Sequence, residues 1–143
     1  MKLRIERWAF TFFVAVLLCA TSGAQAAQTP EQLAQQSSAS WLALVDSGKS
    51  AESWDEAAQF FKSAVTKDQW LSALGTFRTP LGKVLSRKLK SATYTKTLPG
   101  VPDGEYVKIQ YDTSFEHKQA AIETVVPMLD KDGKWRISGY FIK

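Results

Sequence analysis

The chain has 143 residues, with 18 Lys or Arg, 14 Asp or Glu, one His and one Cys. Its net charge of +4 is too small to mark a surface for nucleic acid or for an anionic membrane. Cys19 lies in an N-terminal segment expected to be removed. The chain that remains then has no disulfide, no thiolate nucleophile and no cysteine metal ligand.

That segment opens with Lys2, Arg4 and Arg7, continues as an apolar run from Trp8 to Ala20 broken only by Thr11, and closes on Ala24-Gln25-Ala26. The order of positive charge, apolar core and small-x-small site is that of a secretory signal peptide. As a helix the run spans about 20 Å, short of the roughly 30 Å hydrocarbon core. An uncleaved anchor is therefore disfavoured, and Leu18 before Cys19 disfavours a lipoprotein. The expectation is a leader over residues 1–26, cleavage after Ala26, and a periplasmic product over 27–143 with no stable membrane insertion. Loss of Lys2, Arg4, Arg7 and Glu6 lowers the net charge to +2. A chain of this size folds as one domain without staples, burying about 60–70% of its extended surface. Trp41, Trp54, Trp70 and Trp135 are its largest anchors.

Up to about residue 80 the apolar period is helical. Thr29 is an N-cap, Pro30 sits at N1, and Gln32 at N3 closes a capping box. Leu33, Ser37, Trp41, Leu44 and Val45 follow on one stripe, and Gly48 ends this first helix. Ser37, Ser38 and Ser40 leave its middle small enough for close approach of the sheet or a ligand. A second helix begins near Ser50 or Ser53 and carries Trp54, Ala57, Ala58 and Phe61 on one face. Thr66, with Gln69 at N3, caps a third with Trp70, Ala73, Leu74 and Phe77, stopped by Pro80 and Gly82.

Beyond Gly82 the period becomes two. Val84 to Leu98 reads as a long strand whose phase slips through a bulge. Pro99 to Gly104 is a turn-rich connection. Val107, Ile109, Tyr111, Thr113 and Phe115 then alternate with polar neighbours, the clearest half-buried strand in the chain. A third strand runs from about Ala120 to Leu129, and Pro127 in it requires an edge or a bulge. Asp130 to Gly133 turns tightly into a last strand with Trp135, Ile137, Gly139 and Phe141 in phase. Short connections make the sheet antiparallel, with the helices on one face.

The wording of these segments resembles the DUF4019 family of small exported bacterial proteins. The resemblance rests on Ser40-Trp-Leu-Ala-Leu-Val-Asp46, Trp54-Asp55, Val65-Thr-Lys-Asp-Gln-Trp70, Arg78-Thr-Pro-Leu-Gly82 and Ser91-Ala-Thr-Tyr94. It extends through Leu98-Pro-Gly-Val-Pro-Asp-Gly-Glu-Tyr106, Ile109-Gln-Tyr-Asp-Thr-Ser-Phe115 and Gly133-Lys-Trp-Arg-Ile-Ser-Gly-Tyr140. It covers essentially the whole chain after the leader. It implies an α+β fold of the NTF2-like or cystatin-like kind: three N-terminal helices packed on a curved four-stranded antiparallel sheet that forms a cone. The family is one of unknown function, so it carries no catalytic residue across.

Candidate chemistry is sparse. His117, beside Glu116 and Lys118 at a strand turn, has no nucleophile at a defined spacing and reads as solvated. One His without Cys does not make a zinc site. Asp103 and Glu105 belong to a turn whose backbone geometry explains it, or to an acidic loop facing a partner. Asp130 and Asp132 lack the ligand spacing of a calcium loop. Arg87-Lys88-Leu89-Lys90, followed by Tyr94 and Tyr106, reads as a charged sheet edge rather than a single-strand platform.

Tyr111, Phe115, Trp135 and Phe141 either pack against Trp41, Trp54 and Trp70 or line a pocket with Gln110, Thr113 or Thr124 as polar handles. No catalytic, cofactor-binding or metal-ligating residue is assigned, and no cofactor is expected. The favoured function is a periplasmic accessory or binding module for a small apolar ligand or protein partner. An alternative is a small hydrolase- or isomerase-like enzyme using Asp112 or Glu123 with a tyrosine, although both acids fall on strand faces opposite the apolar alternation. Another is a homodimer formed through the uncovered sheet face, supported by Tyr106 and Tyr140.

Overall fold

The computed structural model describes residues 25–143, and the expected leader lies, up to Ala24, outside the described residues. Helix α1 (Pro30–Asp46) starts where its capping box says it should. The Gln32 amide donates to Thr29 Oγ1 at 3.3 Å, and the Thr29 amide returns a 2.9 Å bond to Gln32 Oε1. Its buried stripe is Ala34, Ser38, Trp41, Leu42 and Val45. The helix is thus rotated about one position from the expected face, and Leu33 is exposed.

The single helix expected through Trp54 and Phe61 is two short ones, α2 (Ser50–Asp55) and α3 (Gln59–Ala64). Ala57 and Ala58, both fully buried, lie between them, and Ala58 is extended at φ −59°, ψ 148°. Its amide leaves the helical ladder and donates to the Ile137 carbonyl at 2.8 Å. Two methyl side chains let the backbone approach the sheet closely enough for that bond, and the bond breaks the helix. Helix α4 (Lys67–Phe77) repeats the capping box with Thr66 and Gln69 at 2.9 and 3.2 Å. It buries Trp70 and Leu74.

A short 3₁₀ turn, Thr79–Leu81, leads into strands β1 (Val84–Thr95), β2 (Tyr106–Phe115), β3 (Lys118–Leu129) and β4 (Trp135–Ile142). They form one antiparallel meander in the order β1-β2-β3-β4. Among the described residues there are four α-helices rather than three. The sheet is an open layer with β1 and β4 as its edge strands, which corrects the expected curved NTF2-like cone. Two of the four helices are only six residues long, about 9 Å each. Of these two, α3 packs on β4 and α2 on α1 and α4, and it is α1 that runs across all four strands.

The core lies between the helices and one face of the sheet. Trp70 is at its centre, with ring centroids 5.9 Å from Trp41, 5.1 Å from Phe61 and 6.2 Å from Phe77. Its indole N–H donates to Ser53 Oγ at 2.9 Å, while that of Trp41 donates to the Ser53 carbonyl at 2.7 Å. Buried indoles with satisfied N–H groups combine large apolar area with fixed orientation.

Register decides which side chains face this core. The slip expected in β1 occurs twice, at Leu85 and at Lys90. Pro127 lies in an interior strand, beside a bulge: Val126 pairs with Gly139 and Pro127 with Ile137, so Ser138 is the extra residue in β4. A proline without an N–H fits where the ladder is interrupted. Ser138 Oγ donates to the Val126 carbonyl at 2.7 Å and pins the bulge. One extra residue exchanges the two faces of the strand beyond it. Tyr140 therefore points into the core and Phe141 out of it, the reverse of the expected placement.

Candidate functional site

On the inner face, neighbouring strands bring together Arg87 of β1, Thr113 of β2, Glu123 of β3 and Tyr140 of β4. Glu123 lies on this face with Ala121 and Val125, not opposite the apolar positions as its strand pattern suggested, and it is 0% exposed. Arg87 Nε and Nη2 donate to its two oxygens at 2.7 and 3.1 Å. Thr113 Oγ1 donates to Oε1 at 2.6 Å, and the Tyr140 hydroxyl donates to Oε2. The same guanidinium reaches Asp46, the last residue of α1, at 2.7 and 3.1 Å. Arg78 also holds Asp46, at 3.0 Å, donates to the Gly82 carbonyl at 2.7 Å, and lies 4.7 Å from the Phe115 ring centre.

Burial opposes the charge of Arg87, but its hydrogen bonds and attraction to Asp46 and Glu123 outweigh burial and raise its pKa. Burial, reinforced by the Glu123 charge, pushes the Tyr140 hydroxyl far above its ordinary range. Tyr111, beside the cluster, is raised by burial and partly lowered again by Arg87.

Each Glu123 oxygen accepts two hydrogen bonds, which fills its acceptor sites. A carboxylate so occupied has no free lone pair for a substrate proton, and Tyr140 holds its own proton tightly. Neither residue lines any of the surface hollows described here. The cluster works as an ionic clasp between α1 and the sheet. Nothing in the sequence pattern joined Asp46 and Arg78 to it, and Arg87 looked like one member of a basic run.

The remaining candidates are dispersed. Asp112 is on the outer face, exposed, with Lys90 Nζ at 3.4 Å. His117 is exposed at the β2–β3 turn. Glu105 accepts from the Tyr94 hydroxyl at 2.9 Å, which raises the Tyr94 pKa. Asp130 and Asp132 both bind Arg136, at 3.1 and 2.8 Å, and that partner holds the Asp132 carboxyl at about 2. Among the described residues no three His, Cys, Asp or Glu side chains gather as a metal site. None of the helices there is long and apolar enough to cross a membrane.

Tyr111 and Phe115 are core residues, Trp135 packs at its margin, and Phe141 is 59% exposed. Tyr106 is on the outer face but buried, its hydroxyl donating to the Pro102 carbonyl at 2.6 Å. Of the two tyrosines that marked the uncovered face, Tyr140 is inside, and Tyr106 stays on the outer side but is buried under the β1–β2 loop.

What does occupy that face is a groove of about 590 Å³, within the roughly 300–1,000 Å³ usual for ligand sites. Its floor follows the strand register: Lys108, Val126 and Gly139 in one row, Gln110, Thr124 and Phe141 in the next, then Ile122 and Lys143. Leu98, Pro99 and Val101 of the β1–β2 loop wall one end. Gly139 lets the Phe141 ring lie across the backbone, since a Cβ there would sit 3.2 Å from the ring. Gln110 Nε2 and Thr124 Oγ1 are 3.4 Å apart in the middle of the floor. Of the two expected arrangements, Tyr111 and Phe115 take the packed one, and a hollow remains at the rim between α1 and β4, lined by Ser37, Trp41 and Trp135. The groove on the other side owes its apolar side chain Phe141 to the bulge that turns it outward.

No curated protein matches the chain. The family model described as "Protein of unknown function (DUF4019)" matches residues 37–140, a span that runs from the serine-rich middle of α1 to Tyr140 of the clasp. The chain belongs to the DUF4019 family.

Proposed function

We propose that the protein is an exported accessory module that holds a small apolar ligand on the open face of its sheet. The observation that carries this reading is the outer groove, in which Leu98, Val101, Ile122, Val126 and Phe141 converge on a concave, mostly apolar surface that also carries Lys108, Gln110, Thr124, Ser138 and Lys143. Large apolar side chains kept on a surface that helices do not cover mark a contact site. Export rests on the three-part leader, and its product is a periplasmic chain beginning after Ala26. The groove supports binding rather than catalysis, because the one fully buried carboxylate among the described residues, Glu123, is consumed by the clasp.

Native mass spectrometry after gentle purification tests this reading, together with NMR titration of short-chain apolar compounds. Shifts should concentrate at Ile122, Val126 and Phe141, and Phe141→Ser should weaken binding. Shifts confined to the helical side of the molecule would overturn the assignment. N-terminal sequencing of the exported protein tests the leader, and an intact Met1 in the membrane fraction would refute cleavage.

A second reading, a protein partner, is favoured by the free β1 edge, where Leu85 and Leu89 are exposed. A partner strand could add there. The two bulges in β1 interrupt the straight run of backbone groups that such pairing uses.

A further inference from the structure

The charges around the groove differ from those around every other hollow described. The hollow between α3 and the β3–β4 turn mixes Lys62, Lys131 and Arg136 with Asp55, Asp130 and Asp132, and the other three also contain both signs. The outer groove alone has basic side chains, Lys108 and Lys143, and no acidic side chain. Asp112, the acid on the same face of β2, has Lys90 as its partner. Among the described residues Lys108 has no ion-pair partner, and it is exposed beside Val126. Gln110, two residues further along the same face of β2, keeps only a long contact to Thr124. The β2 side of the floor therefore offers a free ammonium and an amide, while Val126 and Phe141 supply apolar surface toward β4, with Thr124 and Ser138 between them and Lys143 beyond Phe141. From β2 to β4 is about 10 Å at the spacing of adjacent strands.

From this separation we infer that the ligand of the groove is a free, single-chain anionic amphiphile of the fatty-carboxylate class. Its carboxylate lies at Lys108 and Gln110, and its chain crosses Val126 and Phe141. The inference rests on the proposed apolar-ligand function and adds the charge and polarity of the occupant. Lysine recognises such a head group as a point charge with rotatable donors, and charge-assisted bonds favour carboxylate over hydroxyl.

The test is calorimetric titration of the purified protein with laurate, dodecanol and dodecyltrimethylammonium, with the site followed by NMR. Laurate should bind about five- to tenfold more tightly than dodecanol, the gain expected of a partly exposed charged contact, and the cationic probe most weakly. Lys108→Gln should remove the laurate advantage and leave dodecanol unchanged; Lys108 is exposed, so the fold is not at stake. Phe141→Ser should weaken both. Equal affinities for laurate and dodecanol, or a laurate affinity indifferent to Lys108→Gln, would overturn the anionic assignment while dodecanol in the groove still upheld the apolar site. Failure of every probe to perturb Ile122, Val126 and Phe141 would overturn both.

Discussion

Glu123 and Arg87 show how a charged pair can be read correctly only with its neighbours in place. In sequence, Arg87 is one of three cations in four residues, and Glu123 sits in a strand whose apolar positions seem to lie opposite it. Ala121 and Pro127 are the residues that place Glu123 inward, and small or ring-locked side chains give a weak alternation signal. Removing one member of a buried pair leaves the other charge uncompensated, so Arg87→Ala should cost about 3–5 kcal/mol in urea unfolding. The double variant Arg87→Met/Glu123→Leu should cost less than that single change, because no charge is stranded; an equal or larger loss would refute the clasp as described. Tyr140 adds a pH dependence. Its pKa is raised from 10.0 in the folded protein, so its contribution is complete below pH 10 and is lost as pH rises through the folded value. Stability measured from pH 9 upward should therefore fall more steeply in the native protein than in Tyr140→Phe.

Among the elements, those with a purely local signal were legible. Both capping boxes form as the Thr-x-x-Gln spacings require, and strand β2 keeps its alternation throughout. The break between α2 and α3 was not legible, because it depends on a hydrogen bond from Ala58 to Ile137, 79 positions away in the chain. The Ser138 bulge was equally hidden: Ile-Ser-Gly-Tyr-Phe alternates plausibly in either phase, and only pairing with β3 selects one. Deleting Ser138 should return Tyr140 to the outer face and Phe141 to the core, breaking the Glu123 bond and the 5.3 Å edge contact of Tyr140 with Trp41. Loss of Tyr140–Trp41 cross-peaks in NMR, with lowered stability, is the expected outcome; unchanged cross-peaks would mean the bulge does not set the phase. Helix α4 provides a simpler check. Trp70→Ala should cost about 3–5 kcal/mol, since Trp70 is 4% exposed and meets three aromatic rings, and a loss below about 1 kcal/mol is incompatible with that packing.

For the molecule as a whole, the short strand connections made an antiparallel meander readable, whereas sheet curvature depends on how much helix lies against it and left no mark in the residue pattern. The outer groove was not legible for a related reason, since the side of the sheet that Phe141 takes turns on a bulge. The arrangement of the clasp also has a kinetic consequence. The capped helices and the hairpins are each local in sequence, but Asp46 meets Arg87 across 41 residues and Arg78 across 32. The Arg78 bond joins α4 to α1, whereas the Arg87 bonds need α1 docked on β1 and are expected to form after the barrier to folding has been crossed. Asp46→Ala should then accelerate unfolding while leaving the refolding limb of a stopped-flow chevron nearly unchanged. The clasp would thus act as a latch on the native state, lengthening its lifetime without helping the chain to find it, and a slowed refolding limb would place Asp46 in the nucleus instead.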